Sequence, residues 1–338
     1  MIDLRNTNIL FLSVSFFQYE IAIVKRLREL GACVDFYDER PSNSNLSKGI
    51  IRFNKKWYQY QIDSYYQKII SEIKNKKHHY FLLIKGEAIP SYFIEKVKEL
   101  NPEITCIYYN FDSLEEYPNL VSHLPYFDKN FTFDRKDAQK YNLHFRPLFY
   151  LDEYQNKKSN NENLKYDISF IGSAHTDRYL IGEKVRKLAE NLTFQSYFYY
   201  YAMGKISFKL KRIFDKNLQY FNTQKISYQK LNHKQIIKIY QQSKAILDIN
   251  KPFQNGLTIR TFEVLALGKK LITTNTDIVN YPFYNPQNIL VINRENIKLP
   301  EEFFSSKFKE IDKETLSMMS LDSFIECLFI KNQDEYWQ

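Results

Sequence analysis

The sequence of 338 residues has little cysteine and little glycine. Its three cysteines, Cys33, Cys106 and Cys327, are far apart, which excludes a disulfide framework and a cysteine metal cluster and is typical of a reducing compartment. Glycine occurs only 8 times, so a glycine beside a predicted strand or helix is informative about the backbone there. The six histidines show no metal-ligand spacing.

Long apolar runs are absent as well. No run approaches the roughly 20 residues that a membrane-crossing helix needs. The apolar run at 9–17 has no charged start and no small-residue cleavage site, so we interpret it as a first strand rather than a signal peptide. We therefore expect a cytoplasmic protein.

The net charge of +9 is concentrated in one segment. Residues 201–240 contain nine Lys and Arg against the single acid Asp215, a net charge of +8, so the rest of the chain is almost neutral. A nearly neutral remainder argues against a nucleic-acid-binding protein. On a helix the apolar residues of this segment share one face (Ile206, Leu210, Ile213, Phe214 and Leu218), and basic residues line another (Lys205, Lys209, Arg212 and Lys216).

Two interpretations of the basic segment stay open. Residues 205–240 could contact an anionic membrane surface, or receive an acceptor carried on lipid pyrophosphate. The alternative is a helix that packs its apolar face into the core and exposes its basic face to solvent.

Hydrophobic periodicity predicts an α/β protein in two series. The first series has strands at 8–16, 32–37, 80–85, 104–110 and 129–133, and helices at 18–30, 55–76, 91–100, 119–125 and 135–142. The second has strands at 166–171, 193–201, 226–230, 245–249, 270–274 and 289–292, and helices at 177–190, 206–219, 233–242 and 258–267. Alternation of this kind indicates parallel sheets that are covered on both faces.

The domain boundaries follow from composition. We expect one domain at 1–150 and a second at 164–310, because residues 151–163 are polar and read as a linker. The tail at 311–338 contains one more predicted helix, at about 312–330.

The most informative motif spans residues 255–268. Thr258 can cap a helix there and Gly268 can end it. Arg260 then lies in the first turn, where a cation is unfavourable unless an anion binds between it and the unpaired N–H groups. Glu263 follows one turn later among apolar neighbours. The pair predicts a nucleotide, with its diphosphate on Arg260 and its ribose on Glu263; the alternative is a surface ion pair.

A second candidate phosphate loop follows the strand at 166–171. Gly172 and Ser173 end that strand, and Arg178 opens the next helix. Glycine lets a phosphate approach the backbone closely, and charged hydrogen bonds from arginine would dominate binding. The alternative is an ordinary strand-to-helix turn with a surface arginine.

Carboxylates at strand ends of the first domain are the candidate general bases. Asp112 is favoured slightly over Glu87, with Glu20 as a third option. Asp112 could instead form an Asx turn or a helix cap, and Glu20 could be a simple first-turn charge.

Gly256, Arg260, Phe262-Glu263 and Gly268 together resemble the donor-site helix of glycosyltransferases with the GT-B fold, closest to the group 1, CgeB-like branch. The resemblance covers about residues 165–295. It implies two Rossmann-like domains facing across a cleft, with a last helix that crosses back onto the first domain. It also implies that Glu263 binds ribose, that Arg260 binds diphosphate and that the Gly172–Ser173 loop faces the donor phosphates. Asn255 stands where many relatives have a second glutamate.

The resemblance implies a glycosyltransferase that moves a sugar from a nucleoside-diphosphate sugar to an acceptor hydroxyl. The absence of an Asp-x-Asp pair is consistent with a metal-independent reaction, and we expect no cofactor. The acceptor would belong to a cell-surface polysaccharide or a lipid-linked glycan, and the enzyme would be cytoplasmic or peripheral on the inner face of the membrane. A sugar-nucleotide epimerase of the same fold and a non-catalytic sugar- or anion-binding protein are the alternatives.

Overall fold

The chain folds into two compact α/β units, each built on a six-stranded parallel sheet. The computed structural model describes residues 2–42, 59–155, 164–331 and 337. One unit comprises Met1–Pro147 with Leu321–Gln338, and the other comprises Leu148–Ser320. We call them the N-terminal and C-terminal units. No helix of the described residues is long and apolar enough to cross a membrane.

The N-terminal unit has its strands in the order β2-β1-β3-β4-β5-β6. They are β1 (Asn8–Ser13), β2 (Cys33–Asp38), β3 (Tyr80–Ile84), β4 (Thr105–Asn110), β5 (Lys129–Thr132) and β6 (His144–Phe145). The helices are α1 (Tyr19–Glu29), α2 (Gln59–Ile73), α3 (Ser91–Leu100) and α4 (Arg135–Tyr141), with a 3-10 helix at Pro118–Tyr126. Apolar residues of β3 and β4 pack against α2 and α3, which explains why these strands have almost no polar positions.

The end of the chain packs on this same unit. It forms α12 (Leu321–Glu326) and a π-helical turn at Cys327–Lys331. The Asp322 carboxylate accepts from Nε and Nη2 of Arg26 at 2.6 and 2.7 Å. The Phe324 ring packs edge-on against the Tyr109 ring, with 4.8 Å between the ring centroids. An ion pair at the rim and an aromatic contact at the core therefore fix the tail to the sheet.

The C-terminal unit has its strands in the order β12-β11-β10-β7-β8-β9. They are β7 (Tyr166–Ser173), β8 (Ser196–Tyr201), β9 (Ile226–Ser227), β10 (Ser243–Asp248), β11 (Lys270–Thr273) and β12 (Ile289–Val291). The helices are α5 (Arg178–Asn191), α6 (Lys205–Phe214), α7 (Lys216–Gln219), α8 (His233–Gln241), α9 (Ile259–Ala266), α10 (Glu301–Ser305) and α11 (Lys313–Met318).

Each sheet has a topological switch point, where successive strands stop adding to one edge of the sheet and begin adding to the other. In the C-terminal unit this point lies between β7 and β10, and in the N-terminal unit it lies between β1 and β3. Ligands of open α/β sheets bind beyond the carboxyl ends of the strands at this point. The predicted donor-site residues lie at the end of β7 or follow β7 and β10, Glu20 and Glu87 follow β1 and β3, and Asp112 follows the neighbouring β4.

Two predicted helices are interrupted in the structure, and one short strand was not predicted. The predicted helix at 206–219 is broken at Asp215, because the Asp215 carboxylate accepts from the Asn217 N–H and starts a new helix. The predicted tail helix is broken between α11 and α12. The short strand β6 was not predicted, since two residues carry no periodicity.

The predicted linker at 151–163 is partly wrong. Its first residues form a 3-10 helix at Asp152–Tyr154, and the Tyr154 ring is fully buried. The Tyr154 hydroxyl lies 2.8 Å from Nδ1 of His233 on α8. This stretch is therefore a packed part of the C-terminal unit. Residues 156–163 of the predicted linker and 55–58 of a predicted helix lie outside the described residues.

Candidate functional site

Helix α9 positions the motif of residues 255–268 as the sequence predicts. Gly268 has a positive φ of 67°, and its N–H donates to the Leu265 carbonyl. The next N–H, of Lys269, donates to Val264. These two hydrogen bonds form a Schellman motif, which requires the left-handed conformation that glycine adopts without strain. The prediction that Gly268 ends the helix is therefore confirmed.

Arg260 points into the unit and not into bulk solvent. Its Nη1 is paired with the Asp248 carboxylate at the end of β10, its Nε donates to the Tyr240 hydroxyl at 3.0 Å, and its Nη2 donates to the Ile171 carbonyl at 2.5 Å. Although burial opposes it, the neighbouring Tyr240 and Asp248 raise the pKa of Arg260. The anion that compensates this cation is a carboxylate of the chain itself.

Thr258 does not cap α9 through its side chain, which corrects the sequence prediction. It occupies the N-cap position, but its hydroxyl donates to Asp248 at 2.7 Å instead. Asp248 is 1% exposed at its side chain and so is held from two sides, by Thr258 and Arg260. That hydroxyl accepts no hydrogen bond from the N–H groups at the start of α9.

Glu263 is buried, as its apolar neighbours in the sequence predict. Burial and the Glu263 carboxylate raise the pKa of the Tyr154 hydroxyl well above its usual value, and a side-chain hydrogen bond between the two contributes. Burial raises the pKa of Tyr240, the residue that holds Arg260, to about 12, and Glu263 adds to this shift although Arg260 opposes it. The ribose-binding role of Glu263 stays a prediction. The structure adds two tyrosines, from the predicted linker and from α8, to its surroundings.

Arg178 is a buried arginine that has no carboxylate partner among the described residues. It opens α5, it is 9% exposed, and its Nε donates to the Ile249 carbonyl at 2.8 Å. Within the described residues, its two terminal nitrogens have no partner in the protein. Burial and the nearby Arg260 lower the pKa of Arg178 to about 10. A surface arginine at an ordinary turn, the alternative interpretation, does not describe this residue.

The electrostatic field at Arg178 is positive. His175, three residues before it, has its pKa lowered to about 2 by burial and by Arg178, Lys251, Lys211 and Arg260, in that order. An imidazole with this pKa is neutral at all physiological pH values. Burial makes the largest contribution to this shift, and the four cations near the ends of β7 and β10 add to it.

Arg294 is a further member of this group of cations, and the sequence analysis did not predict it as a site residue. Its Nη1 pairs with Asp177 at 2.6 Å, and its Nη2 donates to the Asn250 carbonyl at 2.7 Å and to the Thr274 hydroxyl at 3.1 Å. Residue 294 lies in a loop after β12, where no periodicity or motif marks it. Among the described charges that act on one another here, the three arginines Arg178, Arg260 and Arg294 outnumber the two acids Asp177 and Asp248.

The predicted glycines occupy two different environments. Gly172 lies inside β7, where an added Cβ would come within 2.6 Å of the Phe170 ring. The packing of Phe170 is thus a sufficient reason for glycine, and the approach of a phosphate stays a prediction. Ser173 ends β7. The Gly256 carbonyl accepts from Gln254 at 2.9 Å in the loop before α9, and the loop carbonyl of Asn255 accepts from Asn275 at 2.8 Å.

In the N-terminal unit, Asp112 is paired with a lysine at the switch point. Lys85, which follows β3, lies 2.7 Å from the Asp112 carboxylate and 4.9 Å from the centre of the Tyr117 ring. Lys85 has a positive φ of 79°, which is uncommon for a residue with a side chain. The predicted alternative role as a turn or cap residue is taken by Ser113 and not by Asp112, because the Ser113 hydroxyl accepts from the Glu115 N–H.

Glu87 belongs to the same buried group of charges. It pairs with Arg40, and its backbone N–H donates to Glu39 at 3.0 Å. Burial raises the pKa of Glu39 to about 7, although Arg40 and Lys85 oppose the shift. Glu39 and Arg40 follow β2 and were not predicted as site residues, because a short Asp-Glu-Arg run reads as a solvated turn.

Glu20, the third candidate base, is buried next to its own loop. Its carboxylate accepts from the Phe16 N–H at 3.0 Å and from Ser15 at 3.3 Å. It lies in the first turn of α1, as the helix-charge interpretation predicts.

Within the described residues no group of three or more His, Cys, Asp or Glu is arranged to hold a metal ion. Metal independence stays a prediction.

Solved structures with the same architecture decide the fold. Sucrose-phosphate synthase from Thermosynechococcus elongatus matches with a TM-score of 0.62 at 8% identity, over 86% of this chain and 87% of that chain. HepE of Anabaena, solved with UDP-glucose, matches with a TM-score of 0.54 at 8% identity, over 95% and 90% of the two chains. The chain has the GT-B fold.

A third GT-B structure supports the same conclusion. AviGT4, a glycosyltransferase involved in avilamycin A biosynthesis, matches with a TM-score of 0.52 at 9% identity, over 95% of this chain and 98% of that chain. No protein-family model and no curated protein matches the sequence. The prediction of two Rossmann-like α/β domains is confirmed, and identities this low carry the fold alone.

Proposed function

We propose that this GT-B protein is a glycosyltransferase of the CgeB-like branch, which moves a sugar from a nucleoside-diphosphate sugar to an acceptor hydroxyl. The observation that carries the proposal is Arg178. A guanidinium that is nine-tenths buried, has two terminal nitrogens without partners and opens a helix at the switch point is suited to a phosphate group.

The chemistry of the reaction fits this arrangement. The leaving nucleoside diphosphate gains negative charge in the transition state, and donors that are already oriented stabilise it without reorganisation. Arg178 and the unpaired N–H groups of the α5 start would contact the diphosphate, while Arg260 would act from its pair with Asp248. The reaction would need no metal and no cofactor, because fixed cations take the place of a divalent ion.

The other assignments are proposals that rest on the sequence. The C-terminal unit would bind the donor, and the N-terminal unit, with the tail that begins at Leu321, would bind the acceptor. Glu263 would hold the ribose, and Ser173 and the Gly172 and Gly256 backbones would lie along the diphosphate. Asp112 or Glu87 would be the general base. The acceptor would be a polysaccharide or a lipid-linked glycan at the cytoplasmic face of a membrane.

Two experiments test the proposal, first a screen for nucleotide binding and then an analysis of the reaction products. HepE was solved with UDP-glucose, so uridine diphosphate is the first ligand to screen by thermal shift, beside the other nucleoside diphosphates. We expect a concentration-dependent rise of the melting temperature with one of them, since a ligand at a hundredfold excess over Kd stabilises by ~2.7 kcal/mol.

The matching sugar nucleotide is then incubated with and without acceptors, and the products are separated. Transfer that depends on the acceptor supports the proposal. Isomerised donor without acceptor would identify an epimerase, and binding without any turnover would identify a binding protein.

A further inference from the structure

The apolar face of α6 is turned outward. Ile206, Leu210, Ile213 and Phe214 are 78%, 54%, 65% and 87% exposed. Phe208 is the buried residue of this helix, at 3%. At about 100° per residue, Phe208 projects on the side opposite to the centre of the exposed four. The interpretation of a core-packed apolar face is therefore wrong for α6; of the five residues of the predicted face only Leu218, on α7, is buried. We call the four exposed residues the outward face.

Positive charge borders the outward face. Lys205 and Lys209 lie along one side of it, Lys211 lies on the other side, and Lys216 follows directly in α7. All four are exposed, and none forms an ion pair with a carboxylate of the described residues. The one acid of the segment, Asp215, is engaged with the start of α7. Exposed apolar residues between unpaired lysines are suited to an apolar layer that is covered by anionic groups.

We propose that α6 lies in the interface of an anionic lipid bilayer, with the outward face in the acyl boundary and the lysines among the headgroups. An amphipathic helix with bulky apolar residues on one side and lysines at the edges binds in this way. Four apolar residues of this size on ten residues of helix are more than isolated exposed side chains explain. An acidic protein would complement the lysines but would leave the outward face without a matched partner.

The bilayer would lie next to the cationic group of the candidate site. Lys211, on α6, is among the cations that lower the pKa of His175. A membrane-bound α6 therefore holds that group near the headgroups, where a lipid-linked acceptor is found. This last consequence rests on the proposed function, whereas the docking of α6 does not.

Co-sedimentation with vesicles tests the proposal on the full chain. We expect pelleting with vesicles that contain phosphatidylglycerol, little pelleting with phosphatidylcholine alone, and release at ~1 M salt, where the Debye length falls to ~3 Å. The double variant Ile213→Ser with Phe214→Ser should lower the partition coefficient at least about tenfold, because two large apolar side chains lose their burial. Lys205→Gln with Lys209→Gln should weaken binding to anionic vesicles.

Tyr60→Ser is the matched control, because Tyr60 on α2 is 82% exposed and lies outside the proposed surface. It should pellet like the wild type. In Phe214→Trp, anionic vesicles should shift the indole emission to shorter wavelength, whereas Tyr60→Trp should show no shift. All of these side chains are exposed, so the variants should keep the melting temperature and the uridine diphosphate affinity of the wild type.

Three outcomes overturn the proposal. One is equal pelleting of the wild type and the Ile213, Phe214 variant. Another is an unshifted Phe214→Trp spectrum with anionic vesicles. The third is self-association without lipid that Phe214→Ser abolishes, which would identify a second copy of the chain as the occupant of the outward face. Loss of nucleotide binding with intact vesicle binding would count against the proposed function alone.

Discussion

The guanidinium of Arg260 is paired with the carboxylate of Asp248, across the loop that joins β10 to α9. Arg260 is thereby neutralised inside the protein, whereas Arg178, held only by the Ile249 carbonyl, keeps its charge available. The two arginines that the sequence predicts for the diphosphate are therefore not equivalent. Arg260 supports the site, and Arg178 is the residue placed to contact an anion.

Replacing Arg260 by Ala should first of all destabilise the protein. Asp248 would stay buried at 1% exposure without its cation, a loss of about 3–5 kcal/mol for a buried pair. Chemical denaturation followed by the tyrosine signal measures it. Arg186→Ala is the control, because Arg186 on α5 forms a partly exposed pair with Glu183 and should cost under about 1 kcal/mol. Equal stability of the two variants would contradict the structural role of Arg260.

The buried Glu39 should make stability depend on pH. Its folded pKa of about 7 lies above the ordinary value of 4.5, so the folded state binds the additional proton. The stabilisation is complete below pH ~4.5 and is lost as the pH rises through ~7, at ~1.4 kcal/mol per pKa unit. Glu39→Gln should flatten this part of the curve. A stability difference between the wild type and Glu39→Gln that stays constant between these pH values would show that Glu39 is ionised in the fold.

His175 should report the binding of an anion. Its pKa of about 2 is set by burial and by surrounding cations, so a bound diphosphate that neutralises them must raise it. The measurement is an NMR pH titration of the His175 ring with and without the nucleotide found in the thermal-shift screen. His79, whose Nδ1 accepts from the Asn8 N–H in the N-terminal unit, is the internal reference. An unchanged His175 pKa at saturating nucleotide would place the ligand elsewhere.

Asp112 is separable from nucleotide binding. If it is the general base, Asp112→Asn should lower kcat by about 10²–10⁴-fold, the range of a general base, and leave the nucleotide Kd unchanged. Glu87→Gln is measured beside it to separate the two carboxylates. A variant of Asp112 with wild-type kcat would exclude it as the base.

The sequence predicted the strands well because both sheets are covered on two faces. Nearly continuous apolar runs such as residues 80–84 and 245–247 leave few other interpretations. The helix end at Gly268 could also be predicted, because the Schellman motif involves only residues that are close in the sequence. Both depend on neighbours in the chain.

The charge partners were not readable from the sequence. Asp248 and Arg260 are twelve residues apart, Asp177 and Arg294 are 117 apart, and only the fold brings them together. The same holds for α6, whose periodicity gives an apolar face but not its direction. Packing around Phe208 turned that face outward.

The affinity of Arg178→Gln for uridine diphosphate, or for whichever nucleoside diphosphate stabilises the wild type, tests most directly whether Arg178 binds the diphosphate. Isothermal titration should show a loss of about 10–150-fold, the equivalent of a charged hydrogen bond worth ~1.5–3 kcal/mol. The melting temperature should stay close to the wild type, because no carboxylate of the described residues is paired with Arg178. Arg186→Gln, on the same helix, should bind like the wild type. An Arg178→Gln variant that binds the nucleotide with unchanged affinity would show that Arg178 does not contact the diphosphate.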